Sequence, residues 1–366
     1  MKIIFGFENK PLIFSRPEKI IRCFRYCNLA SAFEEIESAL KEGLYVAGFL
    51  SYEAGYAFEE RLCAHAGSEF PLLYMGCYQK PGRVKAYPQD NSDFFSIRDL
   101  QLNITKKAYA ENIQKIRDYI ALGDVYQITY CIKNLFSFAG SALRLYRQLL
   151  KAQPVPYPAY IETDSYTILS LSPEMFLKKR GGFIVTKPMK GTWGRGQNFF
   201  ADLFSGLQLK YDAKNRAENV MIADLLRNDL GRVGKNIRAP KLFEVKRYTT
   251  LYQMTSTVTS RIDKDIPLYD LFKAVFPSGS VTGAPKIRAM EIIRQLELEE
   301  RKIYTGAIGY ITPDKDLFFN IPIRTLLLKN GKGEMGVGGG IVWDSTSDGE
   351  WSEGILKAKF LTDLAV

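Results

Sequence analysis

The densest run of reactive side chains is KNRAENVMIADLLRNDLGRVG, residues 214–234. Read as a helix, it places Glu218, Ile222, Leu225 and Asp229 at i, i+4, i+7 and i+11. Two acids then share a stripe with apolar residues. A carboxylate on such a stripe must be paired or must hold a metal, because an isolated buried charge is costly. The spacing leaves both outcomes open. A second run, GVGGGIVWDSTSDGEWSEGILKAKF, puts Glu350, Glu353 and Lys357 on one helical face after Gly338, Gly339 and Gly340. The glycines read as a turn whose N–H groups can approach an anion. Two acids and a lysine beside that turn suit a metal with a carboxylate ligand, or a solvated face with a Glu353–Lys357 pair. Trp351, Ile355, Ala358 and Leu361 read as the core face.

Two further segments carry chemistry. VFPSGSVTGAPKIRAMEII runs through a small-residue loop into a helix opening at Pro285. Free N–H groups at a helix start bind anions. The spacing GSVTGAPK is not that of a Walker A loop, so ATP is not implied as a substrate. VTKPMKGTWGRG follows a strand and sets Lys190 before a tight turn at Gly191-Thr192. There it is either an exposed turn lysine or a lysine activated by desolvation.

The elements that must position these groups alternate strands and helices in clusters. SAFEEIESALKEG and TKKAYAENIQKIRDYIALG read as amphipathic helices stopped by Gly43 and Gly123. Further helices are predicted at 141–153, 213–229, 267–275, 285–297 and 350–363. Strands are predicted in LYVAGFL, VYQITYCIKNLFSF, PYPAYIE, YTILSLS, LFEVKRYTT, QMTSTVTSRI, YTGAIGYIT and LFFNIPIRTLLL. PGRVKAYPQDNSDF is the linker candidate. The pattern favours an α+β fold, with residues 1–100 as an N-terminal portion packed on the same body as 101–366.

Bulk properties exclude more than they assign. The chain has 366 residues, 46% of them hydrophobic, enough for a sizeable core. No run approaches a bilayer span and the N-terminus lacks a signal pattern, so a soluble cytoplasmic protein without membrane contact is expected. Five cysteines fit no disulfide or zinc framework. His65 is the only histidine, so acid–base work falls mainly to Glu, Asp, Lys or Tyr. The net charge of +10 is scattered, which argues against a nucleic-acid binder and suits an anionic small substrate equally well.

Taken together, GDVYQITY, LSPEMFL, KPMKGT, RAENVMIADLLRNDLGRVG, FPSGSVTGAPKIRAMEII, YTGAIGY, IPIRT and GVGGGIVWDS…EWSE resemble the chorismate-utilising enzyme family. The resemblance runs from about Thr105 to the C-terminus, and FLSYEAGYAFE extends it into the first hundred residues. It implies two antiparallel sheets packed face to face with helices outside. It implies Mg²⁺ held by Glu218 and Glu353 with Glu350 in support. It places Tyr304, Arg324, Lys357, Gly339 and Gly340 against the substrate's carboxylates, with Gln127 and Thr192 also lining the site.

Three positions sort the chain within the family. Gln127 stands where isochorismate and salicylate synthases carry a water-activating lysine, so water addition is disfavoured. Lys190 stands where anthranilate synthases usually have alanine and aminodeoxychorismate synthases have a nucleophilic lysine. Gln253 stands where anthranilate synthases have a histidine associated with pyruvate loss. The resemblance therefore implies component I of aminodeoxychorismate synthase, with Lys190 as nucleophile and Glu174 as acid. Anthranilate synthase component I is the rival. Ammonia is expected from a separate glutamine amidotransferase subunit or free ammonium, and 4-aminobenzoate formation is expected to need another enzyme. TWGRG departs from the TRPRG of many relatives at Trp193 and Gly194, and no tryptophan-sensing LLES motif is present.

Overall fold

The computed structural model describes residues 1–63, 67–83, 94–247 and 251–364. His65, most of the predicted linker and the end of LFEVKRYTT lie outside them. The helices are α1 (Leu29–Lys41), α2 (Lys106–Ala121), α3 (Ala142–Ala152), α4 (Phe199–Tyr211), α5 (Ala213–Gly231), α6 (Leu268–Val275), α7 (Lys286–Leu296) and α8 (Ser347–Thr362). Local chemistry sets their ends. Thr105, Ser141, Asn198, Asp212 and Thr346 each accept a backbone N–H at a helix start.

Among the described residues the strands form two ten-stranded sheets with antiparallel pairing. In the first, Gln127–Gly140 pairs Lys332–Ile341, and Lys2–Phe5 pairs Tyr157–Glu162. In the second, Met189–Gly194 and Gly234–Arg247 both pair Leu251–Ile262, and Tyr45–Leu50 pairs Ala307–Ile311. Strands from the first hundred residues thus lie inside both sheets. The expected α+β class and the two antiparallel sheets are what the structure shows.

The strand period divides the core. Ile3 and Phe5 join a cluster with Phe49, Ile308 and Phe318 of the other sheet, while Ile4 faces the opposite way into the larger cluster under the helices. Phe7 and Phe318 bridge the sheets with ring centroids 4.9 Å apart.

Three expectations need correction. The helix α4 was not read from the sequence. Its buried side is Leu209 on Tyr252 and Met254, while Leu203, Phe204, Leu207 and Tyr211 point outward. Its apolar period therefore does not mark its packed face. The segment after Lys190 is a bulged strand and not a tight turn, because it continues to pair with Leu251–Ile262. Ile355 is exposed, so the core face of α8 is Ala358 and Leu361, with Trp351 packed on Tyr109.

Candidate active site

The glycine run lies within a strand, contrary to the predicted turn. Gly338, Gly339 and Gly340 pair with Cys131, Tyr130 and Thr129. Their value is the missing Cβ. A Cβ on Gly339 would stand 2.8 Å from Oε2 of Glu350 and 3.7 Å from Nζ of Lys357. A Cβ on Gly340 would stand 2.8 Å from Nζ of Lys190 and would overlap Nε2 of Gln127. Two bare backbone positions thus form a floor on which four predicted site side chains meet.

The helix α8 supplies one wall. Lys357 bridges to Glu353 at 2.6 Å and donates to the Gly338 carbonyl at 2.8 Å. Glu350 accepts from Ser345 at 2.7 Å. Burial pushes the Glu350 carboxyl up. Burial acts the same way on Glu353, but Lys357 overrides it and holds that carboxyl below its usual range.

Lys190 enters from the second sheet. The register with Leu251–Ile262 shifts between Met189 and Thr192, so Lys190 and Gly191 form a bulge. Gly191 takes φ +97°, and a Cβ there would meet Oδ1 of Asn215 at 3.0 Å. Burial lowers the pKa of the Lys190 ammonium and Lys357 pushes the same way, against Glu218, Glu174 and Glu353. Glu174 is buried between two strands. Burial raises its carboxyl to about 7, opposed by a 2.8 Å hydrogen bond from Ser280 and by the Lys190 charge. The two shifts run toward a protonated acid and an uncharged amine.

Gln127 and Gln253 are fully buried, yet both polar atoms of Gln127 and Oε1 of Gln253 lack a hydrogen-bond partner among the described residues. The unpaired Gln127 amide beside the bare backbone of Gly340 suits a polar ligand. Thr192 lies opposite Gln253 in the ladder. Tyr304 packs its ring on Gly336, further along the strand that carries Gly339. Arg324 takes φ +50° before Thr325–Lys329, and its carbonyl accepts from Leu171. Direct contacts thus assemble Gln127, Lys190, Gly339, Gly340, Glu350, Glu353 and Lys357, and charge couples Glu218 and Glu174 to Lys190.

The two acids on the α5 stripe have different fates. Asp229 is buried and paired to Lys286 at 2.5 Å, which fastens α5 to the start of α7. Glu218 is half-buried, and its charge acts on Lys190. The FPSGSVTGAP loop contributes the Ser280 hydroxyl to Glu174, where sequence reading saw only backbone N–H groups. Asn219, which donates to the Lys190 carbonyl, was also missed. Its only signal was adjacency to Glu218.

A family model described as chorismate binding enzyme matches residues 9–363. The chain belongs to the chorismate-binding enzyme family. Relatives in that family include aminodeoxychorismate synthase component 1 of Escherichia coli (strain K12), 38% identical over 73% of this chain and 59% of the relative. Anthranilate synthase component 1 of Aquifex aeolicus is 37% identical over 71% of this chain and 53% of the relative. The chain thus spans little more than half the length of these curated relatives. The solved anthranilate synthase component I of Streptococcus pneumoniae shares the fold, with TM-score 0.78 and 24% identity over 98% of this chain and 89% of that one. Overall identity does not separate these two kinds of relative.

Proposed function

We propose that this chain is the chorismate-aminating component of an aminodeoxychorismate synthase, converting chorismate and ammonia to 4-amino-4-deoxychorismate. The supporting observation is the meeting of the Lys190 amine with Gln127 over Gly340, beside a Glu174 carboxyl raised toward neutrality. In the proposed reaction the Lys190 amine bonds to C2 of the ring while the C4–O bond breaks. Glu174 gives its proton to the departing hydroxyl, which leaves as water. Ammonia then bonds to C4 and the C2–nitrogen bond breaks, returning the Lys190 amine. The proton lost by ammonia restores Glu174. Gln127 cannot serve as a base for water, and Gln253 supplies no imidazole for pyruvate loss.

The acids on α5 and α8 offer hard oxygen donors beside lysines, which suits Mg²⁺. Among the described residues no three acids stand close enough to form a cage. Glu218 and Glu353, with Glu350 in support, are the residues that would hold Mg²⁺. The ion would supply positive charge to a substrate carboxylate. Lys357, Tyr304, Arg324 and the Gly339–Gly340 backbone would hold the remaining anionic groups. Ammonia would come from a separate glutamine amidotransferase, in keeping with the component 1 naming of the relatives. The described residues contain no helix long and apolar enough to cross a membrane.

Incubation with chorismate, Mg²⁺ and ammonium tests the reading. The expected product is 4-amino-4-deoxychorismate by mass, abolished in Lys190→Ala. Fluorescent anthranilate would assign the rival activity, and isochorismate would show that Gln127 does not block water addition.

A further inference from the structure

Lys190 and Gly191 are the two residues that the strand pairing skips. The ladder therefore does not fix the backbone of the lysine on which the proposed chemistry depends. A side chain from another element takes over that task. Asn219 of α5 is buried at 1% exposure, and its Nδ2 donates to the Lys190 carbonyl at 3.3 Å. Its Oδ1 accepts from the hydroxyl of Ser256, which is also fully buried. That hydroxyl accepts in turn from the Phe243 N–H at 3.2 Å. Each donor in this chain has one acceptor, so the Asn219 amide is held in a single orientation. The Ser256 N–H also donates to the Pro188 carbonyl at 3.2 Å, clamping the approach to the bulge.

We infer that Asn219, oriented by Ser256, is the positioning residue that sets where the Lys190 amine stands over Gly340. This rests on the reading of Lys190 as nucleophile. Asn219 hydrogen-bonds the Lys190 carbonyl and the Ser256 hydroxyl. It acts through the Lys190 backbone, restricting the movement between free amine and ring adduct to the lysine side chain. Displacement of a reacting atom by about 1 Å costs on the order of a hundredfold in rate, so a hold on the backbone matters as much as the amine itself.

The test compares wild type with Asn219→Ala, Ser256→Ala and Ser256→Thr in Mg²⁺ buffer. Chorismate is added without ammonia, and the Lys190 adduct is timed by intact mass and located by peptide mapping. Steady-state kcat and KM are then measured with ammonium, and thermal melting reports folding. Asn219→Ala is expected to slow adduct formation and kcat by about 30–100-fold with KM within about twofold of wild type. Ser256→Ala should slow both by about fivefold, the worth of one hydrogen bond, and Ser256→Thr should recover most of that loss. If Asn219→Ala does not fold, Ser256→Ala and its threonine rescue decide the matter. Wild-type rates in these variants, or a KM rise matching the fall in kcat, would overturn the inference while leaving Lys190 as nucleophile. Absence of any Lys190 adduct in wild type would overturn the nucleophile and the positioning role together.

Discussion

Glu174 shows how one residue's environment sets its chemistry. It lies at 3% exposure with a single hydroxyl donor, Ser280, on its Oε1. Burial outweighs that bond, and the carboxyl rises to about 7. An acid of this kind donates a proton best below that value. Turnover should therefore fall as pH rises above about 7, where Glu174 ionises, and also at low pH, where Lys190 becomes charged. Glu174→Gln keeps the volume and loses the proton, and kcat should drop by about 10²–10⁴. A pH–rate profile of kcat checks both limbs. A variant with an unchanged alkaline limb would remove Glu174 from that role.

Between elements, the site depends on close approach. The strand Lys332–Ile341 can pass beneath α8 and the Lys190 bulge only because its glycines carry no side chain. A methyl group at Gly340 must displace Gln127 or the Lys190 amine. Neither is a free surface group: Gln127 is fully buried, and the Lys190 backbone is tied to α5. Gly340→Ala should therefore retain the fold by circular dichroism and lose at least about tenfold in kcat/KM. The element scale also places Trp193. It packs on the cluster of Leu209, Tyr252 and Met254 beneath α4. Arg195 then pairs with Asp202 of α4, which also accepts from Tyr252 at 2.9 Å.

Across the whole molecule, the N-terminal portion is tied to the rest of the chain by buried polar contacts as well as by strand pairing. Glu53 accepts from the backbone N–H groups of Arg301 and Lys302 at 2.7 and 3.0 Å. The Arg301 guanidinium lies over Tyr52 at 4.3 Å and donates to the carbonyls of Thr129 and Val281 and to Glu297. Burial pushes the Glu53 carboxyl up to about 8, with Glu300 adding to the rise. Glu53 and Glu174 both hold their protons more tightly folded than unfolded. These two carboxyls thus bind more protons in the folded state between about 4.5 and 8, and their contribution to stability falls as pH rises through that window. Glu174 alone accounts for on the order of 3 kcal/mol across its shift. Urea unfolding should give a higher midpoint at pH 5 than at pH 8.5. The double replacement Glu53→Gln with Glu174→Gln should flatten that difference, and an unchanged slope would refute the assignment.

The sequence by itself determined most of the element types, the helical face that joins Glu350, Glu353 and Lys357, and the likeness that picked out Lys190 and Gln127. These are local properties: caps, periods of 3.6 and 2, and motif residues a few positions apart. By spacing Glu218 and Asp229 are equivalent; the likeness singled out Glu218, and the tertiary structure alone shows Asp229 paired to Lys286. It also turned the glycine turn into a strand floor, and it brought Ser280 to Glu174 and Asn219 to Lys190. Those partners lie 106 and 29 residues apart in the chain, beyond the reach of any local pattern. Long-range pairing brings them together, and no local period records it.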